Sequence, residues 1–107
     1  MSKIKQVSFF EYPQLIGTAI FGIRLTPQQV NDRLGLYGLE RSFDDFDFFG
    51  FLGVKKGDEV FGFRQYLHPN AVNYSYVSVE NADDPVTAIR NLLGEPQLEV
   101  TEFDDAS

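Results

Sequence analysis

The acidic and aromatic stretch RSFDDFDFFGF, at positions 41–51, comes closest in residue type and spacing to a chemical site. It places five phenylalanines and three aspartates in eleven positions. Carboxylates this close together bind a divalent cation or form a charged rim for another protein. Asp44, Asp45 and Asp47 lack the D-x-[DN]-x-[DN]-G spacing and the distal glutamate of a calcium-binding loop. The sequence therefore predicts no metal site and leaves the charged rim open.

Catalytic side chains are sparse along the chain. There is no cysteine, and the one histidine, His68, lies in YLHPN between two predicted strands. Because residues two apart on a strand share a face, Arg64, Tyr66 and His68 would line a pocket if the strand reaches position 68. The sequence contains no phosphate-binding glycine loop and no nucleophile elbow. We expect no catalytic residue, cofactor or metal, and keep these three residues as an enzymatic alternative.

The charge is distributed asymmetrically along the chain, which has a formal net charge of −7. Residues 1–41 carry five basic and three acidic side chains, whereas residues 42–107 carry four basic and thirteen acidic ones. A negative field repels phosphate groups and draws basic proteins inward, although acidic surfaces also simply keep proteins in solution. The sequence therefore predicts no direct binding to nucleic acid or membrane, and it favours a basic protein partner.

Length and composition indicate a single domain, residues 1–107. With 43% apolar and 23% charged residues, the chain has an ordinary globular composition. No apolar run approaches the roughly 18 residues of a membrane-spanning helix, and the N-terminus lacks a signal-peptide pattern. The lack of cysteine fits a reducing compartment. We therefore expect a cytoplasmic protein.

Two segments carry the signals that begin and end helices. In LTPQQVNDRLGLYG, Thr26 is the candidate N-cap, Pro27 suits the first turn, and Gln29 completes a capping box. Apolar residues then recur at helical spacing, and Gly38 is expected to end the helix. The apolar stripe consists of Val30, Leu34 and Tyr37.

The same pattern returns about 58 residues later in NADDPVTAIRNLLG. Asp84 is the predicted N-cap, Pro85 the first helical residue and Gly94 the end. The apolar stripe of this helix consists of Val86, Ile89 and Leu93. A narrow stripe on a polar body indicates that each helix lies on one face of a sheet.

The remaining apolar segments are predicted strands. They span residues 4–10, 18–25, 48–54, 60–67, 73–81 and 98–103. KKGDE, between the third and fourth of these, has the composition of a hairpin turn. The order of elements predicts an α+β fold, with a mostly antiparallel β-sheet and two helices packed on one face. A ferredoxin-like arrangement with extra strands is the first topology that we expect.

Alternation along two of the strands predicts an aromatic sheet face. Tyr74 and Tyr76 point to one side of their strand, and Phe61 and Phe63 point away from Gly62 in theirs. If both helices cover one face, aromatic rings on the other are exposed. Such a face is a common place for a partner or a second copy to bind.

The stretch RSFDDFDFFGF is predicted to be a loop that enters a strand, because its glycines and aromatic run suit β-structure. On one interpretation Phe46, Phe48 and Phe51 fill the core and the aspartates are solvated. On the other, the aspartates form an acidic rim around exposed Phe43 or Phe46 that contacts a partner. The sequence leaves both interpretations open.

The candidate partner-binding residues are acidic and aromatic. They are Phe43, Asp44, Asp45, Phe46, Asp47, Glu80 and Asp83, with further charge near the C-terminus from Glu99, Glu102, Asp104 and Asp105. No motif assigns the chain to a family. In composition it resembles small proteins that act by binding another protein, including immunity proteins of bacterial toxins, antitoxins and phage inhibitors of nucleases.

Two functional hypotheses follow from these observations. The first is a non-enzymatic intracellular inhibitor that blocks a basic toxin or nuclease and forms a tight one-to-one complex with it. The second is a small α+β domain that forms a homodimer through its sheet and holds a small ligand or substrate between the subunits. It predicts a dimer in solution that a small molecule stabilises.

Overall fold

The computed structural model describes residues 3–17, 21–43, 48–66 and 74–103. Its strands are β1 Ile4–Val7, β2 Phe21–Ile23, β3 Glu40–Phe43, β4 Phe48–Lys56, β5 Glu59–Tyr66, β6 Ser75–Glu80 and β7 Val100–Glu102. Its helices are α1 Gln14–Gly17, α2 Pro27–Leu34 and α3 Pro85–Leu93. In this part of the chain no helix has the length and apolar character needed to cross a membrane. β3 and the short α1 are additions to the predicted elements.

The seven strands form one sheet in which every pairing is antiparallel, which confirms the predicted α+β class. The strand order is β1-β4-β5-β6-β2-β7, and β3 pairs with the part of β4 that β1 does not reach. Part of the fold follows the β-α-β-β-α-β order of a ferredoxin-like unit. These elements are β2, α2, β5, β6, α3 and β7. The extra strands β1, β3 and β4 extend the sheet beyond β5.

The predicted hairpin joins β4 to β5. The strands pair up to Lys56 and Glu59, so that Gly57 and Asp58 form a two-residue turn. Gly57 has a φ of 62°, in the left-handed region that a tight hairpin turn requires and that glycine adopts without steric cost. The opposite charges of Lys56 and Glu59 face each other across the turn, which favours this register.

The predicted N-termini of α2 and α3 are confirmed. The Gln29 N–H donates to the Thr26 hydroxyl at 3.1 Å, and the Thr26 N–H donates to the Gln29 side chain at 2.8 Å, which completes the capping box. Asp84 caps α3 by accepting from the Thr87 hydroxyl and N–H. These two hydrogen bonds hold the pKa of the Asp84 carboxyl below its usual value, so the cap is ionised at neutral pH.

α2 ends three residues before the predicted position, at Gly35 instead of Gly38. Gly35 has a φ of 65°, and its N–H donates to the Asn31 carbonyl. The first glycine after the helix therefore adopts the left-handed C-cap conformation, and the chain turns away there. Tyr37 lies beyond this turn and is 96% exposed. Its assignment to the apolar stripe was wrong.

Both helices pack on the same face of the sheet, as predicted. Val30 of α2 and Ile89 of α3 are fully buried there, together with Phe61 and Phe63 of β5. The idea that these two phenylalanines belong to an exposed aromatic face was wrong, because the helices cover them. Burial of each ring contributes about 1.5–3 kcal/mol to folding. The rest of this core consists of Phe21, Ile23, Leu52, Val54, Val77, Ala88, Leu92 and Leu93.

Residues 8–17, which include α1, cover part of the opposite face, here called the second face. Leu15 is 2% exposed and anchors this covering segment. It packs in a second core with Val7, Phe49, Phe51 and Val60. The Ser78 hydroxyl donates to the Leu15 carbonyl at 2.6 Å and satisfies a buried backbone acceptor. Glu40 holds the start of the segment by accepting from the Ser8 hydroxyl and the Phe9 N–H.

Two glycines that face each other across β4 and β5 let the end of β1 and the covering segment approach these strands closely. Gly53 pairs with Gly62. A Cβ at Gly53 would lie 2.5 Å from the Val7 carbonyl oxygen, and one at Gly62 would lie 3.0 Å from Leu15 Cβ. A side chain at Gly53 would therefore push away the end of β1, and one at Gly62 would push the covering segment away from the sheet.

We expect Gly53→Ala to lower the free energy of unfolding by about 1–3 kcal/mol, because the new methyl group would overlap the Val7 backbone. Gly50→Ala in the same strand is the matched control, since the nearest atom to its Cβ would be Leu39 Cδ1 at 3.4 Å. Urea denaturation of the two variants measures the difference. Equal stability of both variants would show that the close approach at Gly53 does not matter.

The stretch RSFDDFDFFGF contributes to β3 and β4, and its N-terminal part is strand where a loop was predicted. Phe43 at the end of β3 pairs with Phe48 at the start of β4. Phe49 and Phe51 are buried in the second core, whereas Phe48 is 62% exposed. The prediction that Phe48 fills the core was wrong, because alternation sends it to the face opposite Phe49. The prediction for Phe51 is confirmed, and residues 44–47 lie outside the described residues.

Candidate interaction surface

Four aromatic rings lie side by side on the half of the second face that the covering segment leaves open. We call them the aromatic strip, which consists of Tyr66, Tyr74, Tyr76 and Phe103. Strand alternation explains the arrangement, because Tyr76 on β6 pairs with Arg64 on β5 and Tyr66 follows on the same face. Tyr76 is 39% exposed, and the other three rings are partly buried. Of the rings predicted for an aromatic face, Tyr74 and Tyr76 lie here, and Tyr66 and Phe103 join them.

Tyr76 occupies the centre of the aromatic strip. Its ring centroid lies 6.4 Å from that of Tyr66, 5.7 Å from Tyr74 and 5.7 Å from Phe103. The first two contacts are edge-to-face, with interplanar angles of 70° and 71°. Each such pair stabilises the arrangement by about 0.5–1.5 kcal/mol beyond the area it buries. The rings therefore hold one another in place before any partner binds.

Arg64 connects the aromatic strip to the second core. Its guanidinium carbon lies 5.4 Å from the ring centroid of Tyr66 and 6.0 Å from that of Phe49. The Phe49 and Tyr66 rings also contact each other, with centroids 6.1 Å apart. A planar guanidinium packed against two rings restricts the side-chain rotation of both neighbours. Tyr66 is thereby fixed to a buried residue on one side and to Tyr76 on the other.

Gly22 on β2 makes room for the aromatic strip. It lies opposite Tyr76 on one neighbouring strand and Thr101 on the other. A Cβ at Gly22 would lie 1.9 Å from the Tyr74 hydroxyl oxygen, so the Tyr74 ring rests directly on the glycine backbone. An aromatic ring over a strand glycine shields backbone that would otherwise be open to water. An isolated glycine inside an apolar strand is a sequence signal for such close approach.

Aromatic contacts continue from the second core to an exposed ring on the covering segment. Phe9 packs edge-on against Phe51, with centroids 5.7 Å apart, and stacks on Phe10 at 4.3 Å. Phe10 is 81% exposed. The second face therefore presents the aromatic strip on its open half and one further ring on its covered half. The sequence placed Phe10 in the predicted strand 4–10, whereas β1 ends at Val7 and Phe10 belongs to the covering segment.

The predicted partner-binding residues are divided between the two ends of the sheet. Phe43 lies at the start of the β3–β4 pairing, whereas Glu80 ends β6 beside the β4–β5 turn. Six residues of β5, or about 20 Å, separate these two ends. Asp83 follows Glu80 in the β6–α3 connection, so these two lie at the same end and Phe43 at the other. Residues 44–47 lie outside the described part of the chain, and their role stays a prediction.

A polar groove of about 600 Å³ lies at the Glu80 end of the sheet. It is lined by Tyr12, Lys55, Asp58, Val60, Asn81, Ala82 and Asp83. The Asn81 amide donates to the Asp58 carbonyl at 3.1 Å and joins the two turns that form its walls. Across residues 3–17, 21–43, 48–66 and 74–103, no three histidine or acidic side chains converge to hold a metal ion.

Most of the negative charge lies outside the described residues. The described part carries nine basic and eleven acidic side chains, and the other five acidic residues all belong to 44–47 and 104–107. Arg33 and Glu95 form an ion pair on the described surface. This surface is therefore nearly balanced in charge. The acidity that would attract a basic partner comes chiefly from the β3–β4 connection and the C-terminus.

The enzymatic alternative is only partly visible in the structure. Arg64 and Tyr66 share a face of β5, as expected, but the strand ends at Tyr66 and His68 lies outside the described residues. The Arg64 guanidinium stacks on the Tyr66 ring. Such stacking positions an interaction surface equally well, so a catalytic role for these three residues stays a prediction.

Compared with known protein families, with curated proteins and with solved structures, the chain matches none of them. Its function therefore has to be inferred from the surface itself. The informative features are the preformed aromatic strip, the exposed Phe10 ring and the distribution of charge.

We expect Gly22→Ala to displace the Tyr74 ring and to lower the free energy of unfolding by about 1–3 kcal/mol. Removing the ring removes the overlap, so Gly22→Ala should cost little in a Tyr74→Ala background. Urea denaturation of both single variants and the double variant measures this coupling. An equal cost of Gly22→Ala in the two backgrounds would contradict the contact.

Proposed function

We propose that the chain is a cytoplasmic, non-enzymatic protein-binding module that inhibits a basic protein. A toxin or a nuclease is the target class that suits this chemistry, as in immunity proteins and antitoxins. The observation that carries the proposal is the aromatic strip, in which tyrosines on neighbouring strands are partly exposed and held by one another. Tyrosine and arginine are enriched in the residues that dominate protein interfaces.

A preformed strip suits tight binding. The rings of Tyr66 and Tyr76 combine a large apolar surface with a hydroxyl that exchanges hydrogen bonds with a partner. Because neighbouring rings already restrict them, little side-chain freedom is lost when a partner covers them. Such a surface discriminates by shape, and it needs no chemical reaction.

The charge supports a basic protein over a nucleic acid as the partner. Aromatic rings on a sheet also stack on unpaired bases, but such sites combine the rings with a positive path for the phosphates. This chain has a net charge of −7 and five acidic residues in the segments 44–47 and 104–107. Lysine and arginine side chains of a partner are attracted both by this field and by the faces of the rings.

Tyr76→Ala should weaken the complex by about thirtyfold or more, since a central aromatic contact contributes about 2 kcal/mol or more to binding. The matched control is Tyr37→Ala, which also removes a tyrosine ring. Tyr37 is 96% exposed and lies outside the strip. The wild-type chain retains its partner from a low-salt lysate, and calorimetry with the purified pair then gives affinity and stoichiometry. A one-to-one complex that Tyr76→Ala weakens and Tyr37→Ala does not is the expected result.

The other outcomes of this experiment are also informative. If Tyr37→Ala and Tyr76→Ala weaken the complex equally, the strip is not the contact surface. Retention of single-stranded oligonucleotide instead of protein would overturn the electrostatic argument. A third outcome is that the lysate yields no partner other than further copies of this chain, and that Tyr76→Ala converts a dimer into monomers. The strip would then be the interface of a homodimer, and the ligand-binding alternative would replace the inhibitor.

Neutralising the acidic cluster should slow association while leaving dissociation nearly unchanged. In Asp44→Asn/Asp45→Asn/Asp47→Asn the field that draws in a basic partner is weaker, so the association rate falls and depends less on salt. Stopped-flow mixing with the purified partner at several ionic strengths measures both effects. An association rate equal to that of the wild type at low salt would remove these three aspartates from the steering surface.

A further inference from the structure

The two ends of the sheet are strands that pair on one side only among the described residues. β1 pairs with β4 at one end of the strand order, and β7 pairs with β2 at the other. Each end therefore presents a row of backbone N–H and C=O groups to a further strand. The β7 edge adjoins the aromatic strip at Phe103, whereas the β1 edge lies at the other end of the sheet.

The directions of the strands make the two edges compatible with each other. Every neighbouring pair in the order β1-β4-β5-β6-β2-β7 is antiparallel, and the order has six strands. β7 therefore runs opposite to β1. A second copy placed beside the first by a shift along the sheet brings its β7 antiparallel to β1, and the same two faces stay aligned.

The charges at the two edges are opposite. Lys3 and Lys5 lie at the β1 edge, whereas Glu99 and Glu102 lie at the β7 edge, and all four are exposed. Pairing of β1 with a second β1 would bring lysines together, and pairing of β7 with β7 would bring glutamates together. Only the pairing of β1 with β7 joins opposite charges across strands. Charge thus selects one of the three possible edge-to-edge contacts.

Stability of the isolated sheet does not explain the lysines at the β1 edge. Lys5 lies directly opposite Lys55, and like charges in this position destabilise a pair of strands. Lysines do protect edge strands from unwanted pairing. If the charges served only to prevent strand pairing, both edges would carry the same charge. Opposite charges at the two edges leave the pairing of β1 with β7 possible. A glutamate from a second copy beside Lys5 would offset its repulsion from Lys55.

The β1 edge also has a shape that accepts a strand. An open groove of about 840 Å³ lies beside it, lined by residues 3–8 and 34–37 together with Glu11 and Glu40. Ile4 and Tyr37 contribute exposed apolar surface. Along β7, alternation places Glu99 on the second face, which is also the face of Lys3 and Lys5, and places Glu102 on the face that the helices cover. Such a groove supplies backbone hydrogen bonds and side-chain contacts to an incoming strand.

We propose that this chain associates with itself head to tail, with β7 of one copy added to the β1 edge of the next. Both edges remain available at the ends of any such pair, so the contact is heterologous and produces growing rows instead of a closed dimer. β7 has three residues and β1 has four, so each contact is weak and the average mass rises gradually with concentration.

Charge reversal at each edge tests the proposal. Lys3→Glu/Lys5→Glu changes the net charge from −7 to −11, and Glu99→Lys/Glu102→Lys changes it from −7 to −3. At a fixed ionic strength, light scattering and sedimentation should show that each variant alone associates about tenfold more weakly than the wild type. An equimolar mixture of the two should recover association, because each β1 edge then meets a β7 edge of opposite charge. Circular dichroism confirms that both variants fold.

The two variants also separate this contact from an effect of net charge. If net charge governed association, the variant at −3 would associate more strongly than the wild type, and that result would overturn the proposal. A wild-type chain that stays monomeric at all concentrations, or forms a closed dimer, would overturn it as well. So would a mixture of the two variants that associates no better than either variant alone.

Discussion

The pairing of β4 with β5 is the interaction on which both faces of the sheet depend. Its register sends Phe61 and Phe63 beneath the two helices and sends Phe49 and Phe51 into the second core. Because successive side chains point to opposite faces, a shift of one residue in β5 would turn Phe61 and Phe63 toward the second face, where Leu15 lies against Gly62. The same register places the two close-contact glycines of these strands opposite each other. Without that gap the covering segment would have no space against the sheet.

The second face has a buried half and an open half because the covering segment is short. Near the β4–β5 turn, Leu15 lies against Gly62 and brings residues 8–17 close to the sheet, and this half belongs to the core. On the half of the second face nearer to β2 and β7, the aromatic rings of the strip take the place of the covering segment, and the Tyr74 ring rests on Gly22. Residues that could have been buried by a longer segment form the aromatic strip instead. Arg64, whose guanidinium lies over both the Phe49 and the Tyr66 ring, marks the boundary between the two halves.

In the proposed recognition of a basic partner, charge and shape would act at different positions. The aromatic strip is held in one arrangement by ring contacts, so it provides a specific surface but little long-range attraction. The acidic segments 44–47 and 104–107 act at longer range, since a field extends over about a Debye length of 10 Å at moderate salt. The edges of the sheet carry opposite charges on short strands, which suits a contact that forms and breaks easily. Inhibition and self-association would therefore use different surfaces of one small domain.

The sequence by itself determined the features that depend on residues close together in the chain. The capping residues Thr26 and Asp84, the turn at Gly57 and the alternation along the strands each involve contacts within about four residues, so the α+β class could be predicted. Only the tertiary structure decided which face each alternating set occupies, and it showed that Phe48 is exposed while Phe49 is buried. The aromatic strip and the pair of oppositely charged edges also depend on strands that are distant in sequence. No local pattern specifies which strands become neighbours, because that choice is made by burial of the whole sheet.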